Sequence, residues 1–508
     1  MQSLFDDQAP APCPAPFNLA AYVLRRAADL PDKIALAVVT PERAERWSFA
    51  RLERAVRGVA GGLSAMGLPD GAPVLLRLGN TVDFPIAYLG AIAAGLMPVP
   101  TSAQLTAAEI TKLATEIGSA LVIAGPGVAR PDCGAPVIDS AGLEALFDHA
   151  PGDYAMGDPE RPAYMIYTSG SGGNPRGVLH AHRAVWARRM MWDGWYGLGE
   201  SDRLLHAGAF NWTYTLGTGL LDPWAAGATA LIPGEGVAPQ ALPLLLKRHD
   251  ATIFAAAPGV YRQMLKQEFS VVMPKLRHGL SAGEKLPDAT RLAWQKATGT
   301  AVYEALGMSE CSTFISGSPA HPAPPPASGY PQPGRRIAVL GKDYAPVERG
   351  TPGQLAVSNR DPGLMLGYWK DETETKARFH GEWFLTGDMV EMAEDGAITY
   401  LGRADDMMNA GGFRVSPVEV EAALIEHPDI HEVAATEVRV KADTTVIAAF
   451  YAGTPTDEDA LKTFAAERLA RYKQPRIFIH MEALPKGGNG KLNRKALRQG
   501  WEADHDQA

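Results

Sequence analysis

The sequence predicts an α/β protein with a large N-terminal domain, a small β-rich subdomain at the end of that domain, and a separate α+β C-terminal domain. Three observations support this prediction. Helical and strand patterns alternate over residues 18–130, short apolar runs split by Gly and Asp fill residues 346–403, and the pattern changes again after Arg403. At about 100–200 residues per domain, a chain of 508 residues needs more than one core.

The first region reads as alternating helices and strands. A helix-like AAYVLRRAADL precedes the strand-like KIALAVV, and a helix-like FARLERAVRGVAGGLSAMGL precedes APVLLRL. The helix-like FPIAYLGAIAAGL, the apolar MPVP, the helix-like TAAEITKLATEI and the apolar ALVIAG follow. Such alternation is typical of βαβ units around mostly parallel sheets. The Pro-rich stretch from Pro319 to Gly334 is predicted to be irregular loop.

The later regions are assigned in the same way. The runs GQLAVS, WFLTGDMVEM and AITYLG predict strands of the β-rich subdomain, residues 346–404. Beyond it, VSPVEVEAALIEH and DEDALKTFAAERLARY predict helices, and HEVAATEVRV and TTVIAAFYA predict strands. We place the domain boundary near Asp405, which gives domains of residues 1–404 and 405–508.

Composition narrows the function classes. A formal charge of −9 opposes general attraction to nucleic acid or anionic membranes. Three widely spaced cysteines suggest no metal knuckle and favour a reducing cytoplasm, and the twelve histidines form no H-E-x-x-H zinc motif. The acidic, Pro-rich N-terminus does not resemble a signal peptide. The nearly uncharged stretches 84–108 and 204–234 contain Pro, Gly, Asn211 and Asp222, which favours buried core over a membrane span.

Positive charge is concentrated near the C-terminus, where nine basic residues face one acid, Glu482. A phosphate-bearing ligand, a solvated face and, more weakly, nucleic acid are the readings left open. The basic residues are Arg468, Arg471, Lys473, Arg476, Lys486, Lys491, Arg494, Lys495 and Arg498.

A Gly-rich segment, YTSGSGGNPRGV from Tyr167 to Val178, carries the strongest chemical signal. Its glycines and hydroxyl residues allow backbone N–H groups to converge on an anion, as in a phosphate nest. The segment fits neither the Walker nor the dinucleotide pattern, and a plain Gly/Ser loop is the alternative. It follows an apolar run, Tyr164–Ile166, and we expect a helix directly after it. The candidate ligands are Thr168, Ser169, Gly170, Ser171, Gly172, Gly173 and Arg176.

This segment resembles the phosphate loop of the adenylate-forming (ANL) superfamily, which usually reads YTSGSTGxPKG. The superfamily comprises acyl-CoA synthetases, peptide-synthetase adenylation domains and luciferases. Here Gly172 stands in place of Thr and Arg176 in place of Lys. Five further motifs resemble those of the family in the same order: Ser281–Lys285, Glu304–Glu310, Trp383–Asp388, Gly402–Val415 and Leu484–Lys491. The run DDMMNAGGFRVSPVEVE is most similar to the acetyl, medium-chain and benzoate CoA-ligase branch.

The resemblance implies a site for Mg-ATP. Glu310 would hold Mg²⁺ on the phosphates, because a hard cation prefers carboxylate oxygen. Asp388 would accept hydrogen bonds from the ribose hydroxyls, and Arg403 would donate to them. The adenine side would be built from Gly283, Glu284, Lys285, Glu304 and Leu306, with Ser309 beside Glu310 in the same motif.

The resemblance also implies a mobile C-terminal domain. Lys491 would bridge the substrate carboxylate and the nucleotide, although alone it reads as an exposed lysine in a basic tail, and Arg414 would hold the phosphates. Asp405 would be the hinge of the rotation. Gly411 and Gly412 would line a tunnel for the pantetheine arm of coenzyme A, although they also fit an ordinary hairpin turn.

The acyl pocket is expected near residues 208–219. Amino-acid-activating members of the family have an Asp in this region, whereas this chain offers neutral Asn211, which disfavours a substrate with an ammonium group. Gly307 aligns with the Trp of acetate-specific members and is predicted to leave space for a larger acid. The proposed walls are Phe210, Asn211, Trp212, Tyr214 and Gly307, although aromatics in an apolar run also fit a core.

The predicted protein is therefore an AMP-forming acyl-CoA synthetase that uses ATP, Mg²⁺ and coenzyme A. Its acid is larger than acetate and is medium-chain, branched or aromatic. One alternative is a serine hydrolase, because Gly279–Gly283 reads GLSAG around Ser281. Another is an amino- or aryl-acid adenylation domain that serves a separate carrier protein. A homodimer is compatible with the sequence.

Overall fold

The computed structural model describes residues 1–8, 10–168, 176–266, 272–410, 413–441, 444–487 and 492–505. It confirms the α/β fold class. The chain divides into two compact units, one of residues 5–336 and 358–384, the other of residues 1–4, 337–357 and 385–508. The second unit thus contains most of the β-rich segment together with the C-terminal residues. The hinge at Asp405 stays a prediction.

The strands are numbered in chain order. They are β1 (Leu4–Asp6), β2 (Ile34–Val39), β3 (Ala44–Ser48), β4 (Pro73–Arg77), β5 (Met97–Pro100), β6 (Leu121–Ala124), β7 (Val137–Asp139), β8 (Pro162–Thr168), β9 (Arg176–Ala181), β10 (Arg203–His206), β11 (Thr229–Pro233), β12 (Ile253–Ala256), β13 (His278–Ala282), β14 (Ala301–Met308), β15 (Ser312–Ser316), β16 (Tyr330–Pro331), β17 (Arg336–Leu340), β18 (Gly353–Ser358), β19 (Gly367–Tyr368), β20 (Phe379–His380), β21 (Trp383–Met392), β22 (Ile398–Arg403), β23 (Met408–Ala410), β24 (Phe413–Val415), β25 (Ile430–Lys441), β26 (Thr444–Gly453) and β27 (Ile477–His480).

The helices are numbered in the same way. They are α1 (Leu19–Leu24), α2 (Phe49–Ala65), α3 (Asp83–Ala93), α4 (Ala107–Ile117), α5 (Ser140–Phe147), α6 (Ala184–Ala187), α7 (Asp222–Ala226), α8 (Leu242–Arg248), α9 (Pro258–Leu265), α10 (Asp288–Thr298), α11 (Glu372–Ala377), α12 (Pro417–Leu424), α13 (Glu458–Arg468) and α14 (Arg494–His505). The chain also contains two π-helical segments, Trp192–Tyr196 and Thr215–Leu221.

The larger unit is built on the predicted alternation. One sheet has the order β16-β15-β14-β13-β12-β10-β11-β2-β3, and its central strands β14 to β2 are parallel. A second, parallel sheet has the order β5-β4-β6-β7. The helices between these strands begin at ordinary caps: Ser48 caps α2, and Thr106 with Glu109 forms a capping box on α4. The predicted βαβ organisation is confirmed.

The prediction of a helix directly after the Gly-rich segment is wrong. Strand β9 follows instead and pairs antiparallel with β8, with Thr168 opposite Arg176, while α6 begins only at Ala184. Strand β9 also pairs with β19 on its other edge. Hydrogen bonding on both edges therefore fixes the strand, and such tertiary pairing outweighs a local pattern.

The remaining sheets follow the predictions for the later regions. One has the order β1-β17-β18-β21-β20, with β22 also paired to β21, and contains the three predicted β-rich runs. Strands β25, β26 and β27 form another sheet, and Val420 of α12 and Leu461 of α13 are buried in the core beside it. Among the described residues, no helix is long and apolar enough to cross a bilayer.

Candidate active site

The two ends of the Gly-rich segment are held by a hairpin. Thr168 ends β8 and Arg176 begins β9, so residues 169–175 connect paired strands. The candidate ligands Ser169 to Gly173 lie outside the described residues. Arg176 Nη1 lies 2.7 Å from Glu374 Oε1, and its guanidinium lies 5.3 Å from the centre of the Tyr368 ring. The predicted phosphate cation therefore already has a carboxylate partner on α11.

Glu310 lies just after β14 and is held through both its side chain and its backbone. The Tyr368 hydroxyl donates to Glu310 Oε1 at 2.8 Å, and Met365 N donates to the backbone carbonyl of Glu310 at 2.7 Å. Burial and the neighbouring carboxylate raise the pKa of Tyr368, so its hydroxyl stays protonated and acts as the donor. A half-buried carboxylate held in this way has the donor chemistry that Mg²⁺ requires.

The predicted adenine side is an ion cluster next to an open turn. Gly283 has φ +98°, and a Cβ there would meet nothing within 4 Å. Lys285 Nζ and Arg291 Nη2 lie 3.1 Å and 3.0 Å from Glu304 Oε2. Burial raises the pKa of Glu304, and the two cations oppose that shift. The Glu304 carboxylate is therefore occupied by protein donors, while Leu306 is half-buried on β14.

Asp388 and Arg403, the predicted ribose pair, are brought together in the smaller unit. They lie opposite each other on β21 and β22, with Arg403 Nη1 3.0 Å from Asp388 Oδ1. Arg403 also donates to the Thr386 carbonyl at 3.1 Å, and its Nε lies 3.7 Å from Asp405 Oδ1. Asp405 is exposed, and its hinge role stays a prediction.

Four predicted residues of the C-terminal motifs lie wholly or partly outside the described residues. Lys491, Gly411 and Gly412 are among the residues whose structure is not described. Arg414 is on β24, opposite Asn409 of β23, and its side chain is likewise outside the described part. The roles of all four stay predictions.

Four of the five predicted acyl residues lie just before the π-helical segment Thr215–Leu221. Phe210 is buried and stacks on Phe84 with ring centres 5.2 Å apart, which is a core position. Tyr214 stacks on Trp195 at 5.7 Å and donates to the Leu280 carbonyl at 3.2 Å. Asn211 and Trp212 are half-buried. Whether any of them touches substrate stays a prediction.

Gly307 does not leave the space that the sequence predicted. A Cβ at Gly307 would lie 2.3 Å from Ser312 O and 2.5 Å from Thr313 Cα, so the backbone of the paired strand β15 already fills that position. Glycine is required there for the close approach of two backbone segments. Gly307 therefore carries no information about the size of the acid.

A narrow cavity of about 20 Å³ beside Ser309 contains residues that the sequence analysis missed. Its walls include Tyr164, His180, Arg188 and Thr213. The Tyr164 and His180 rings stack with centres 4.9 Å apart and planes 16° apart. Burial lowers the pKa of His180 to about 4, so at neutral pH its Nε2 is the donor to Ser309 O, at 2.7 Å. None of the five predicted acyl residues is among the lining residues of this cavity.

Arg188 is held in the cavity wall by Asp222. Both side chains are buried, with Arg188 Nη2 2.6 Å from Asp222 Oδ2 and Arg188 Nε 2.9 Å from Asp222 Oδ1. The sequence did contain a signal for such a pair, because Asp222 lies inside the nearly uncharged stretch 204–234 and a buried acid needs a partner. The partner itself could not be read from the sequence, since it lies 34 residues away.

Ser281 does not sit in a nucleophile elbow. It lies within β13 with no solvent exposure, and α10 begins only at Asp288. A hydrolase nucleophile requires a sharp strand-to-helix turn directly at the serine. The described geometry does not favour the hydrolase alternative.

The sequence and the fold of this chain are both similar to those of known CoA ligases. The family model for AMP-binding enzymes matches residues 23–369, and the model for the AMP-binding enzyme C-terminal domain matches residues 419–491. Benzoate–CoA ligase of Thauera aromatica is 30% identical over 474 residues, which is 86% of this chain and 87% of the relative. The 4-hydroxybenzoate–CoA/benzoate–CoA ligase of Rhodopseudomonas palustris is 30% identical over 91% and 90%. The crystal structure of a benzoate CoA ligase from Burkholderia xenovorans has a TM-score of 0.85 and 28% identity, with 95% of this chain and 100% of that chain covered.

Proposed function

The chain belongs to the AMP-binding enzyme family and is an AMP-forming acid–CoA ligase, and we propose that the acid it activates is aromatic. The family assignment confirms the resemblance drawn from the six motifs. The enzyme uses ATP with Mg²⁺, a small carboxylic acid and coenzyme A. Of the medium-chain, branched and aromatic acids expected from the sequence, the aromatic class agrees best with the cavity.

The aromatic lining of the cavity is the observation that carries this choice. Tyr164 and His180 both line it, their rings stack on each other, and His180 is neutral at physiological pH. A planar ring stacks favourably on such a surface, whereas a flexible alkyl chain loses rotational freedom on it. The similarity to ligases named for benzoate, over about nine-tenths of both chains, supports the same class.

The reaction has two half-reactions. A carboxylate oxygen attacks the α-phosphorus of ATP, and the bond to the pyrophosphate oxygen breaks. The coenzyme A thiol then loses its proton to solvent, its sulfur attacks the acyl carbon, and the bond from that carbon to the AMP oxygen breaks. Both half-reactions bring negative charge together, so the site must supply cations and oriented donors.

We assign the residues to these steps as follows. Thr168, Arg176 and the loop between them hold the phosphates, and Glu310 holds Mg²⁺, which would neutralise phosphate charge when bound. Asp388 and Arg403 orient the ribose. Lys491 and Arg414 act on the reacting anions, and Gly411 with Gly412 admits the thiol arm once the chain has turned about Asp405.

Pyrophosphate release across a panel of acids tests the proposal. The panel contains benzoate, hydroxybenzoates, hexanoate, a branched acid and acetate, each with and without coenzyme A, and mass spectrometry identifies the thioester. We expect kcat/KM for the best aromatic acid to exceed that for hexanoate at least tenfold. Equal values for hexanoate and the aromatic acids would contradict the aromatic assignment, and no pyrophosphate with any acid would contradict the activity itself.

We also propose that the enzyme acts in the cytoplasm. Its substrates ATP and coenzyme A are cytoplasmic metabolites, and all three cysteines are free thiols, as a reducing compartment favours.

A further inference from the structure

We propose that Arg188 selects an aromatic acid with a neutral oxygen substituent, such as a hydroxyl, methoxy or carbonyl group, by donating a hydrogen bond to that oxygen. This inference rests on the proposed function and names the substrate class within it. It concerns a group of five side chains, the Arg188 cluster, which consists of Arg188, Tyr196, Thr218, Asp222 and Ser312.

Arg188 and Ser312 line the same cavity as Ser309, the residue before the proposed Mg²⁺ ligand Glu310. An acid with its carboxylate near Ser309 would have its ring directed towards a lining that contains a guanidinium. No second charged side chain lines this cavity within the part of the chain that the structure describes.

The donor inventory leaves one N–H of Arg188 for a ligand. The guanidinium has five N–H groups. Nε donates to Asp222, and Nη2 donates to Asp222 at 2.6 Å and to Tyr196 and Thr218 at 3.2 and 3.4 Å. Nη1, which has two N–H groups, donates to Ser312 Oγ at 2.5 Å. Among the described residues, the other Nη1 N–H has no acceptor.

The backbone is shaped around this guanidinium. A Cβ at Gly217 would lie 2.2 Å from Arg188 Cζ, so only glycine allows the guanidinium to lie against the π-helical segment. Ser312 has φ +62°, a conformation that a non-glycine residue adopts at a cost. The cluster is therefore held by surrounding structure, and its donor is fixed in direction before an acid binds.

The charge of the cluster decides which substituent it accepts. Tyr196 donates to Asp222 Oδ2 at 2.8 Å, and Asp222 raises the pKa of Arg188 against the lowering effect of burial. Because the ion pair is neutral as a whole and His180 is uncharged, a second carboxylate would bring an uncompensated charge into the cavity. An ammonium group would meet an N–H donor. A neutral oxygen acceptor fits both the charge and the donor.

Matched pairs of acids test the proposal. Benzoate is compared with 3- and 4-hydroxybenzoate, with 3- and 4-methoxybenzoate and with isophthalate, through kcat/KM for pyrophosphate release. We expect the wild-type enzyme to prefer one of the neutral oxygen-substituted acids to benzoate by about tenfold or more, and to reject isophthalate. No such preference in any pair would overturn the proposal while leaving the ligase activity intact. If no acid releases pyrophosphate, the proposed function fails, and this inference fails with it.

Variants of the pair link the preference to Arg188. The double variant R188M/D222L removes both charges, since one buried charge left alone would destabilise the fold. We expect it to turn over benzoate with the tenfold preference lost. R188K keeps a positive charge as the partner of Asp222 but lacks the forked donor, so we expect it to lose the preference as well. This variant tests the proposal even if the double variant does not fold. A preference that survives in either folded variant would overturn the proposal.

The chain supplies a matched control. Arg335 and Asp361 form another buried pair, with Arg335 Nη1 2.5 Å from Asp361 Oδ1, and neither residue lines the cavity. We expect R335M/D361L to change the thermal unfolding midpoint while the ratio of the two kcat/KM values stays at the wild-type value. A loss of preference in this control equal to that in R188M/D222L would attribute the effect to general loosening of the fold and would overturn the role of Arg188.

Discussion

Lys491 is the residue on which the first half-reaction is expected to depend. Lys491→Ala should reduce acyl-adenylate formation by several orders of magnitude, because it removes the ammonium that joins the two reacting anions. Thioester formation from supplied acyl-adenylate should stay near the wild-type rate. The two half-reactions are measured separately, by pyrophosphate release and by thioester chromatography.

Lys495 provides the control for that experiment. It is an exposed lysine on α14, four residues further along the basic segment. Lys495→Ala should leave both half-reactions unchanged. Equal loss of both half-reactions in Lys491→Ala would assign the lysine a structural role instead.

The sequence singled out some candidate site residues and missed others for a physical reason. Asp388 and Arg403 were recognised because each sits in a linear motif, and the structure pairs them across β21 and β22. Arg188 has no motif around it. Its proposed role depends on contacts with Asp222 and Ser312, which only the fold brings near it. Linear patterns reveal residues that act through their neighbours in sequence, and they miss those that act through packing.

At the scale of elements, the pairing of β14 with β15 depends on Gly307. Gly307→Ala would place a Cβ against the backbone of Ser312 and Thr313, so we expect the free energy of unfolding to fall by about 1–3 kcal/mol. Urea denaturation measures this change. If Gly307→Ala altered only the preferred chain length of the acid, at unchanged stability, Gly307 would be a pocket residue after all.

Gly500 offers the same substitution in open space. It lies inside α14, and a Cβ there would meet nothing within 4 Å. Gly500→Ala should raise the free energy of unfolding by about 0.5–1 kcal/mol, because alanine favours helix more than glycine does. The pair of variants thus separates backbone crowding from the general effect of adding a methyl group.

The hinge is also a property of an element, the link after β22. Asp405→Pro should slow thioester formation more than adenylation, because proline fixes φ and restricts the residue before it. Asp405→Ala, which keeps the backbone free, should spare both rates. The half-reactions are measured as for Lys491, and full retention of both rates in the proline variant would remove the hinge role.

At the scale of the whole molecule, buried histidines predict acid lability. Burial lowers the pKa of His180 and His278 to about 4, and that of His182 and His206 to about 3, from 6.5. The unfolded chain therefore binds more protons below pH 6.5, and the free energy of unfolding should decrease as pH falls from 6.5 towards 3. Urea titrations at several pH values measure this dependence.

His206 isolates one contribution to that dependence. It is buried, and neither ring nitrogen has a partner among the described residues. His206→Leu should flatten the dependence of stability on pH by about 1.4 kcal/mol per pH unit between the two pKa values. Parallel curves for the variant and the wild-type protein would contradict the assignment.

The overall architecture was predictable because it rests on long periodic patterns. The alternation over residues 18–130 and the helices and strands beyond Arg403 appear as expected. The strand after the Gly-rich segment was not, because β9 is fixed by partners on both edges that local sequence does not reveal. The division of the β-rich segment between compact units likewise depends on long-range packing.

The buried ion pair of Arg188 and Asp222 restricts how the residues around the cavity can change. Replacing Arg188 alone, or Asp222 alone, strands a charge in the interior, whereas replacing both together need not. Descendants of this gene are therefore expected to retain the two residues jointly or to lose them jointly, and intermediates with one of them should be rare. A change of substrate at this position would require a double step, which makes the preference it encodes slow to drift.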